Sequence, residues 1–439
     1  MTKNQSVSYT DLRTHTEEIF MEAIAAVEPR SAVLRALDGS GLLPDGPGRI
    51  VVTALGKAAL PMAQAARERL GDRIVDGVVV TKEGHGGEID GMTVIEAGHP
   101  IPNEKSVQGA DAILDLAADA REGDLVLVLV SGGGSALVTA PVEGVTTDDI
   151  RRTNELLVES GADIYQINTV RKHLSRVKGG GLAKAAFPAR VLTLVLSDVV
   201  GDDLSTIASG PTVPDPTTFG DALDILEAFR LGDRLPASVR DHLEAGGRGE
   251  REETPGDDDP VFRHVTHVIV GGASTAMDAA RRHAKKLGYT PLVLSSMFEG
   301  DTGELARFHA AVVREVRRFH RPAAPPVCLI SGGETTVQVT GTGRGGRNSH
   351  FALEFAQAVA GIEGVLGLFA GSDGTDGPTD AAGAFASGDT ISRGRQRGLE
   401  ADEYIKNSDS YTYFQALGDL FITGPTRTNV MDIRLVCIV

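Results

Sequence analysis

The chain has no tryptophan, two cysteines in 439 residues, and fewer basic than acidic side chains, 43 against 60. Cys328 and Cys437 both lie inside apolar runs, which argues against a disulfide framework or a thiolate metal site and reads them as small core residues. A formal charge of −17 speaks against a nucleic-acid partner, because phosphate backbones reward clustered Lys and Arg, and against an anionic membrane surface. No stretch approaches the roughly 20 continuous apolar residues of a membrane span, and Met1 to Ser8 holds no apolar run of signal-peptide length, so a cytoplasmic protein without membrane contact is expected. The 11 histidines are scattered, without His-x-x-x-His or mixed Cys/His spacing, and zinc is not expected. Any anionic ligand must therefore be captured by a local concentration of scarce cations and backbone N–H groups.

What is present is a soluble globular composition, 41% hydrophobic with 53 glycines and 20 prolines, long enough for two domains. Six short apolar runs each pass into a polar turn: Ile50–Leu55 into Gly56-Lys57, Leu125–Val130 into Ser131-Gly132-Gly133-Gly134, Val191–Leu196 into Ser197-Asp198, Val268–Val270 into Gly271-Gly272, Val327–Ile330 into Ser331-Gly332-Gly333-Glu334, and Val365–Ala370 into Gly371-Ser372-Asp373. These read as buried strands alternating with helical periodicity over 10–27, 60–70, 106–120, 148–160, 274–287, 303–319 and 348–361. The pattern predicts α/β architecture: two three-layer domains, with a mostly parallel Rossmann-like sheet in the first and a smaller mixed sheet in the second. The Gly-, Pro- and acid-rich segment 245–260 reads as a linker or surface excursion, which sets the domains at 1–258 and 259–439. Apolar Ile433–Val439 predicts a C-terminal strand pinned in a sheet.

The glycines at 132–134, flanked by Ser131 and Ser135, leave no Cβ in the way of an approaching oxyanion, and either a phosphate site or a bare strand-to-helix turn accounts for them. Lys57, at an expected helix start, opposes the helix dipole unless an anion compensates. The run from Asn168 to Gly181 concentrates cations, and Arg171, Ser175 and Lys178 would share a face if it were helical. Asp198 and Asp373 directly follow apolar runs and should reach a sheet rim. Together with Glu334 they offer oxygen ligands for Mg2+ or a base toward a hydroxyl. Arg347 precedes Asn348, an expected helix cap, and its guanidinium can fork onto a carboxylate or phosphate. His99, in Gly98-His99-Pro100, reads as bracing a turn rather than doing chemistry.

These segments in this order resemble the glycerate 2-kinases of bacteria and archaea, a family historically confused with hydroxypyruvate reductases. The residues that carry the likeness span nearly the whole chain: Leu55-Gly56-Lys57-Ala58, Gly98-His99-Pro100, Ser131 to Leu137, Asn168 to Ser175, Lys178-Gly179-Gly180, Leu196-Ser197-Asp198-Val199, Ala208-Ser209-Gly210-Pro211, Gly332-Gly333-Glu334-Thr335, Gly346-Arg347-Asn348 and Asp373 to Gly377. The resemblance implies transfer of the ATP γ-phosphoryl group to the 2-hydroxyl of D-glycerate, assisted by Mg2+, in a cleft between two α/β domains. By position Lys57 and Arg347 resemble its active-site cations and Asp198, Glu334 and Asp373 its acidic cluster; the roles expected are catalysis for Lys57, Arg347 and Asp373, and Mg2+ binding for Asp198 and Glu334. Ser131, Gly132, Gly133, Gly134, Ser135, Lys178, Gly332 and Gly333 would bind the nucleotide, and Arg171 and Asn348 the glycerate. A homodimer is compatible with it. Departures from the family pattern are Asn103 where an acid is usual, and Ser349-His350 in place of Gln-Glu. An NAD(P)H-dependent hydroxypyruvate reductase is the rival enzyme, but no Gly-x-Gly-x-x-Gly follows a strand with an acid some twenty residues on. A non-catalytic sensor of sugar acids or phosphates is the other alternative.

Overall fold

The structure is a computed structural model that describes residues 9–39, 41–43 and 48–439. The chain divides into two compact units, one formed by Pro29–Val270 and the other by Gly271–Val439 together with the residues up to Glu28.

The Pro29–Val270 unit is built on β1 (Ile50–Leu55), β2 (Ile74–Lys82), β3 (Thr93–Ala97), β4 (Leu125–Ser131), β5 (Arg190–Leu196) and β6 (Val265–Gly271). Their order is β3-β2-β1-β4-β5-β6, and every pairing from β3 across to β5 is parallel. β1 and β4 are buried along their whole length. A strand covered by helices on both faces needs a continuous apolar run rather than alternation, which is why these two are visible in the sequence. The strand order reverses between β1 and β4, and in doubly wound sheets the crevice outside the carboxyl ends of the strands at such a point is where ligands bind. Beside the sheet, helices Thr147–Glu159, Ile164–His173, Phe219–Ala228 and Ala237–Gly247 share a second apolar cluster around Leu156, Val170, Leu226 and Leu243. Three of them start on capping boxes, Thr146 with Asp149, Asp163 with Gln166 and Thr218 with Asp221, each satisfying two otherwise unpaired N–H groups.

The other unit carries β7 (Thr290–Phe298), β8 (Val327–Gly333), β9 (Val365–Gly371), β10 (Gly383–Ser387), β11 (Leu420–Phe421) and β12 (Asp432–Ile438) in the order β11-β10-β9-β12-β8-β7. This six-stranded sheet is mixed: β7 and β8 are parallel, while β12 runs antiparallel to both β8 and β9. The expected C-terminal strand thus occupies the middle of a sheet. Cys328 and Cys437 face each other across β8 and β12, both buried, as core residues.

The units differ from the expected division at 258/259. Segment 245–260 is held to the first unit: Glu253 accepts from the Phe219 N–H at 3.1 Å, Pro255 O accepts from the Asp215 N–H at 3.0 Å, and Thr254 Oγ1 donates to Asp215 at 3.1 Å. The chain then adds β6 to the same sheet before crossing at Val270 to Gly271. Of the two readings of its polar composition, a linker or a surface excursion, these hydrogen bonds favour the surface excursion. The helix Tyr9–Ala26 likewise belongs to the second unit, because its apolar face (Leu12, Ile19, Phe20, Ala23) finds its partners there, packing along Ala273–Lys286 and over β9 and β12. Among the described residues no helix is long and apolar enough to cross a membrane.

Candidate functional site

In the Pro29–Val270 unit the carboxyl ends of β1, β3, β4 and β5 bring together residues far apart in sequence. β1 passes into Gly56-Lys57 and β4 into Ser131-Gly132. The Lys57 N–H donates to Gly132 O at 2.9 Å and the Ala58 N–H to Ser131 Oγ at 3.0 Å, so the two turns are laced to each other. Gly133 has φ +83°, a left-handed conformation that favours glycine. A Cβ there would stand 2.9 Å from His99 Nε2 and 3.2 Å from Lys57 Cε, and one on Gly132 would collide with the Asp198 carboxylate. The glycines therefore let an imidazole, a lysine stem and a carboxylate close on one stretch of bare backbone. His99, two residues beyond β3, is half-buried and held near pKa 4 by desolvation, then by the positive charges of Lys57, Lys82 and His85. The imidazole is neutral at physiological pH.

Behind the turn, Lys178 is 6% exposed. Its Nζ donates to the carbonyls of Ser135 at 2.7 Å and Val138 at 3.4 Å. Burial, then the nearby Arg171 charge, lower its pKa to about 7. Arg171 is itself lowered by desolvation and donates through Nε to Asn154 Oδ1 at 2.7 Å. Ser135 continues a hydroxyl chain, 2.8 Å to Ser209 Oγ and on to Asn168 Oδ1 at 3.0 Å. The helix bearing Arg171 ends at His173, so Arg171, Ser175 and Lys178 do not share a helical face. Lys178 comes near Arg171 because the chain turns back after the helix.

In the Gly271–Val439 unit, Arg347 opens the helix Arg347–Ala358. It donates through Nε to Asp432 Oδ2 at 2.7 Å and through Nη1 to Glu334 Oε1 at 2.7 Å. Asp432, fully buried, also accepts from Asn348 Nδ2 at 2.8 Å and from the buried Arg434 at 3.0 Å. Desolvation works against charge on Arg347, but Asp432 and Glu334 outweigh it and raise the pKa. Asp376 accepts from the N–H groups of Asn348 and Ser349, both at 2.8 Å. Burial nonetheless raises its pKa. Glu334, Arg347, Asn348, Asp373 and Asp376 line a cavity of about 610 Å³. Asp373 is exposed on its wall, one oxygen accepting from the Thr375 N–H at 2.9 Å and hydroxyl at 3.0 Å.

The structure thus gathers Lys57, Ser131, Gly132, Gly133, Gly134, Ser135, Lys178, Arg171 and Asp198 in one unit, and Glu334, Arg347, Asn348 and Asp373 in the other. Gly332 and Gly333 lie within β8, paired with Ile433 and Asp432 and buried. They form no strand-to-helix turn of the Gly132–Gly134 kind. Sequence reading missed Asp432 and Arg434, which lie in β12, Asp432 one residue before the strand expected at 433–439. An acid and a base in an otherwise apolar strand was the one available signal for them. Among the described residues no three His, Cys, Asp or Glu side chains cluster as a metal cage. Mg2+ is often held by one or two carboxylates plus substrate phosphates. Asp198, beside the glycine turn, and Glu334, which accepts from Arg347, are the carboxylates that would serve that mode.

A glycine turn, a lysine and a carboxylate at the reversal point of a parallel sheet are the means by which α/β proteins hold phosphate-bearing ligands. Residues 15–244 match a family model described as a domain of unknown function, DUF4147, and residues 327–432 match the MOFRL family. The chain is 44% identical over 431 residues to the glycerate 2-kinase of Pyrococcus horikoshii, covering 96% of each. It is also 44% identical to the D-glycerate 2-kinase of Thermotoga maritima, covering 96% of this chain and 97% of the relative. A crystal structure of glycerate kinase from Thermotoga maritima superposes with a TM-score of 0.90 at 43% identity, covering 98% of this chain and all of that one. The chain belongs to the glycerate 2-kinase family.

Proposed function

We propose that this chain transfers the γ-phosphoryl group of ATP to the 2-hydroxyl of D-glycerate, giving ADP and 2-phosphoglycerate. The reading is carried by the meeting of Lys57, Asp198 and the Gly132–Gly134 turn at the β1/β4 reversal, and it is supported by the names of the chain's relatives. Phosphoryl transfer needs alignment and charge neutralisation more than covalent chemistry. In this reading Ser131 to Ser135 cradle the nucleotide phosphates, with Lys178 bracing the turn from behind. Gly332 and Gly333, buried in β8 and paired to β12, would support the Glu334 turn from within the sheet rather than touch the nucleotide. Lys57 and Arg347 neutralise charge on the group in flight, and Arg171 and Asn348 hold glycerate. The 2-hydroxyl oxygen attacks the γ-phosphorus, the bond to the ADP oxygen breaks, and Asp373 orients the hydroxyl and takes its proton. Asp198 would hold Mg2+, with Glu334 as the alternative ligand; the ion, when bound, supplies charge neutralisation on phosphate oxygens. An ATP-dependent reaction of this kind suits the cytoplasm.

The test is a coupled assay on the purified chain. ADP release that requires D-glycerate supports the reading. NADH oxidation with hydroxypyruvate and without ATP would replace it with the reductase, and ligand binding with no ADP formation would replace it with a sensor.

A further inference from the structure

His99 enters neither the mechanism above nor any hydrogen bond among the described residues, yet it stands closer to the glycine turn than a structural histidine needs to. Its Nε2 and Cδ2 edge lies 2.9 and 3.0 Å from the position a Gly133 Cβ would take, and Lys57 Cε reaches the same position at 3.2 Å. The ring comes from the loop after β3, whose last residue, Ala97, pairs with Lys82 at the end of β2. The imidazole therefore sits at the same sheet edge as the turn. Buried histidines elsewhere in this chain are committed to partners: His173 to Thr169 O at 2.8 Å, and His309 to Leu305 O and Ser331 Oγ, both at 2.8 Å. His99 has the opposite environment: among the described residues its ring nitrogens have no hydrogen-bond partner, and the positive charges of Lys57, Lys82 and His85 act on it. Burial does most to keep this imidazole uncharged, and the positive charges of Lys57, Lys82 and His85 add to it; those charges attract an anion, while an uncharged imidazole remains an N–H donor.

We propose that His99 is a catalytic residue that contacts the nucleotide's phosphate oxygens, donating a hydrogen bond from Nε2 beside the Lys57 ammonium over Gly133. The proposal rests on the kinase reading and on Lys57 facing the phosphates. Lysine supplies a mobile point charge, and the ring supplies a directed donor on a short tether, so together they fix where a phosphoryl oxygen sits.

The experiment uses the full-length chain with 13C-labelled histidine, and ADP as the probe. The His99 Cε1–H signal, assigned by its loss in His99→Gln, should stay that of a neutral ring down to about pH 5 without ADP. Saturating ADP should move it and raise its titration midpoint, because phosphate charge stabilises imidazolium. His99→Ala should lower kcat/KM for ATP about 100-fold, the loss expected for one donor to a developing oxyanion, and His99→Gln should recover about tenfold of it by keeping an N–H. A His99 signal unmoved by ADP that calorimetry shows to be bound overturns the proposal alone, as does an alanine variant of normal kcat and KM. If the wild-type chain neither binds ADP nor turns over D-glycerate, the kinase reading falls and takes this contact with it.

Discussion

At the glycine turn, Lys57 and Lys178 have no carboxylate within ion-pairing distance among the described residues, and Lys178 satisfies its ammonium on two backbone carbonyls. In the Gly271–Val439 unit, Arg347 and Arg434 are bound to carboxylates, Asp432 serving both and Glu334 the first. The same charge is thus held in two ways. A desolvated cation without a counter-ion pays its desolvation penalty in the empty protein and is relieved when an anion arrives, which favours binding. An arginine locked by two acids loses affinity for further anions but gains a fixed direction, which favours alignment. The lesson is that counting cations near a sheet rim does not say what they do. Their existing partners do.

The largest effect expected is on turnover. Lys57→Ala and Arg347→Ala should each lower kcat by about 10²–10³-fold, the loss typical of one charge-stabilising group, and the comparison is sharpened by folding. Lys57→Ala should leave the denaturation midpoint within about 0.5 kcal/mol of wild type, while Arg347→Ala should destabilise, because it strips a partner from buried Asp432. Near-normal turnover in either variant removes that residue from the mechanism. Next, Asp432→Ala should cost about 3–5 kcal/mol in urea denaturation, because it leaves the Arg434 charge buried without an acid. A loss below about 1 kcal/mol would show that the acid–base network contributes little. Gly133→Ala should cost about 1–3 kcal/mol from the left-handed backbone and lose ATP affinity by calorimetry, since the new methyl meets His99 and Lys57.

The first sheet was legible from sequence wherever strands are buried on both faces, as at Ile50–Leu55 and Leu125–Ser131. β2 and β3 escaped notice because Asp76 and Gly77 interrupt the apolar run of the first, and Thr93 and Glu96 leave the second only a short one. Site residues immediately after readable strands, Lys57, Gly132 and Asp198, were found for the same reason that the strands were. Asp432 and Arg434 were not, because their role comes from β12 lying between β8 and β9, a pairing that joins positions about 60 to 110 residues apart and leaves no local pattern. The attachment of Tyr9–Ala26 to the far unit is equally non-local: its apolar stripe was clear, its partner was not.

The smallest effect expected is a slope. Lys178 has a pKa of about 7 in the folded chain and an ordinary lysine value when unfolded. Between those values the unfolded chain binds more protons, so stability contributed by this site rises with pH from about 7 toward 10 and is lost as pH falls through 7. The rise is at most about 1.4 kcal/mol per pH unit. Lys178→Met should flatten that component, seen by comparing urea midpoints of the two proteins at pH 7 and pH 9. An unchanged slope would mean that Lys178 keeps its proton on folding, paired with a charge the geometry does not show.

Phosphorus NMR of the product formed from ATP and D-glycerate tests the kinase reading directly. The expected spectrum shows ADP and a phosphomonoester coupled to the single C2 proton, that of 2-phosphoglycerate. A monoester coupled to the two C3 protons, or ADP with inorganic phosphate alone, would contradict transfer to the 2-hydroxyl.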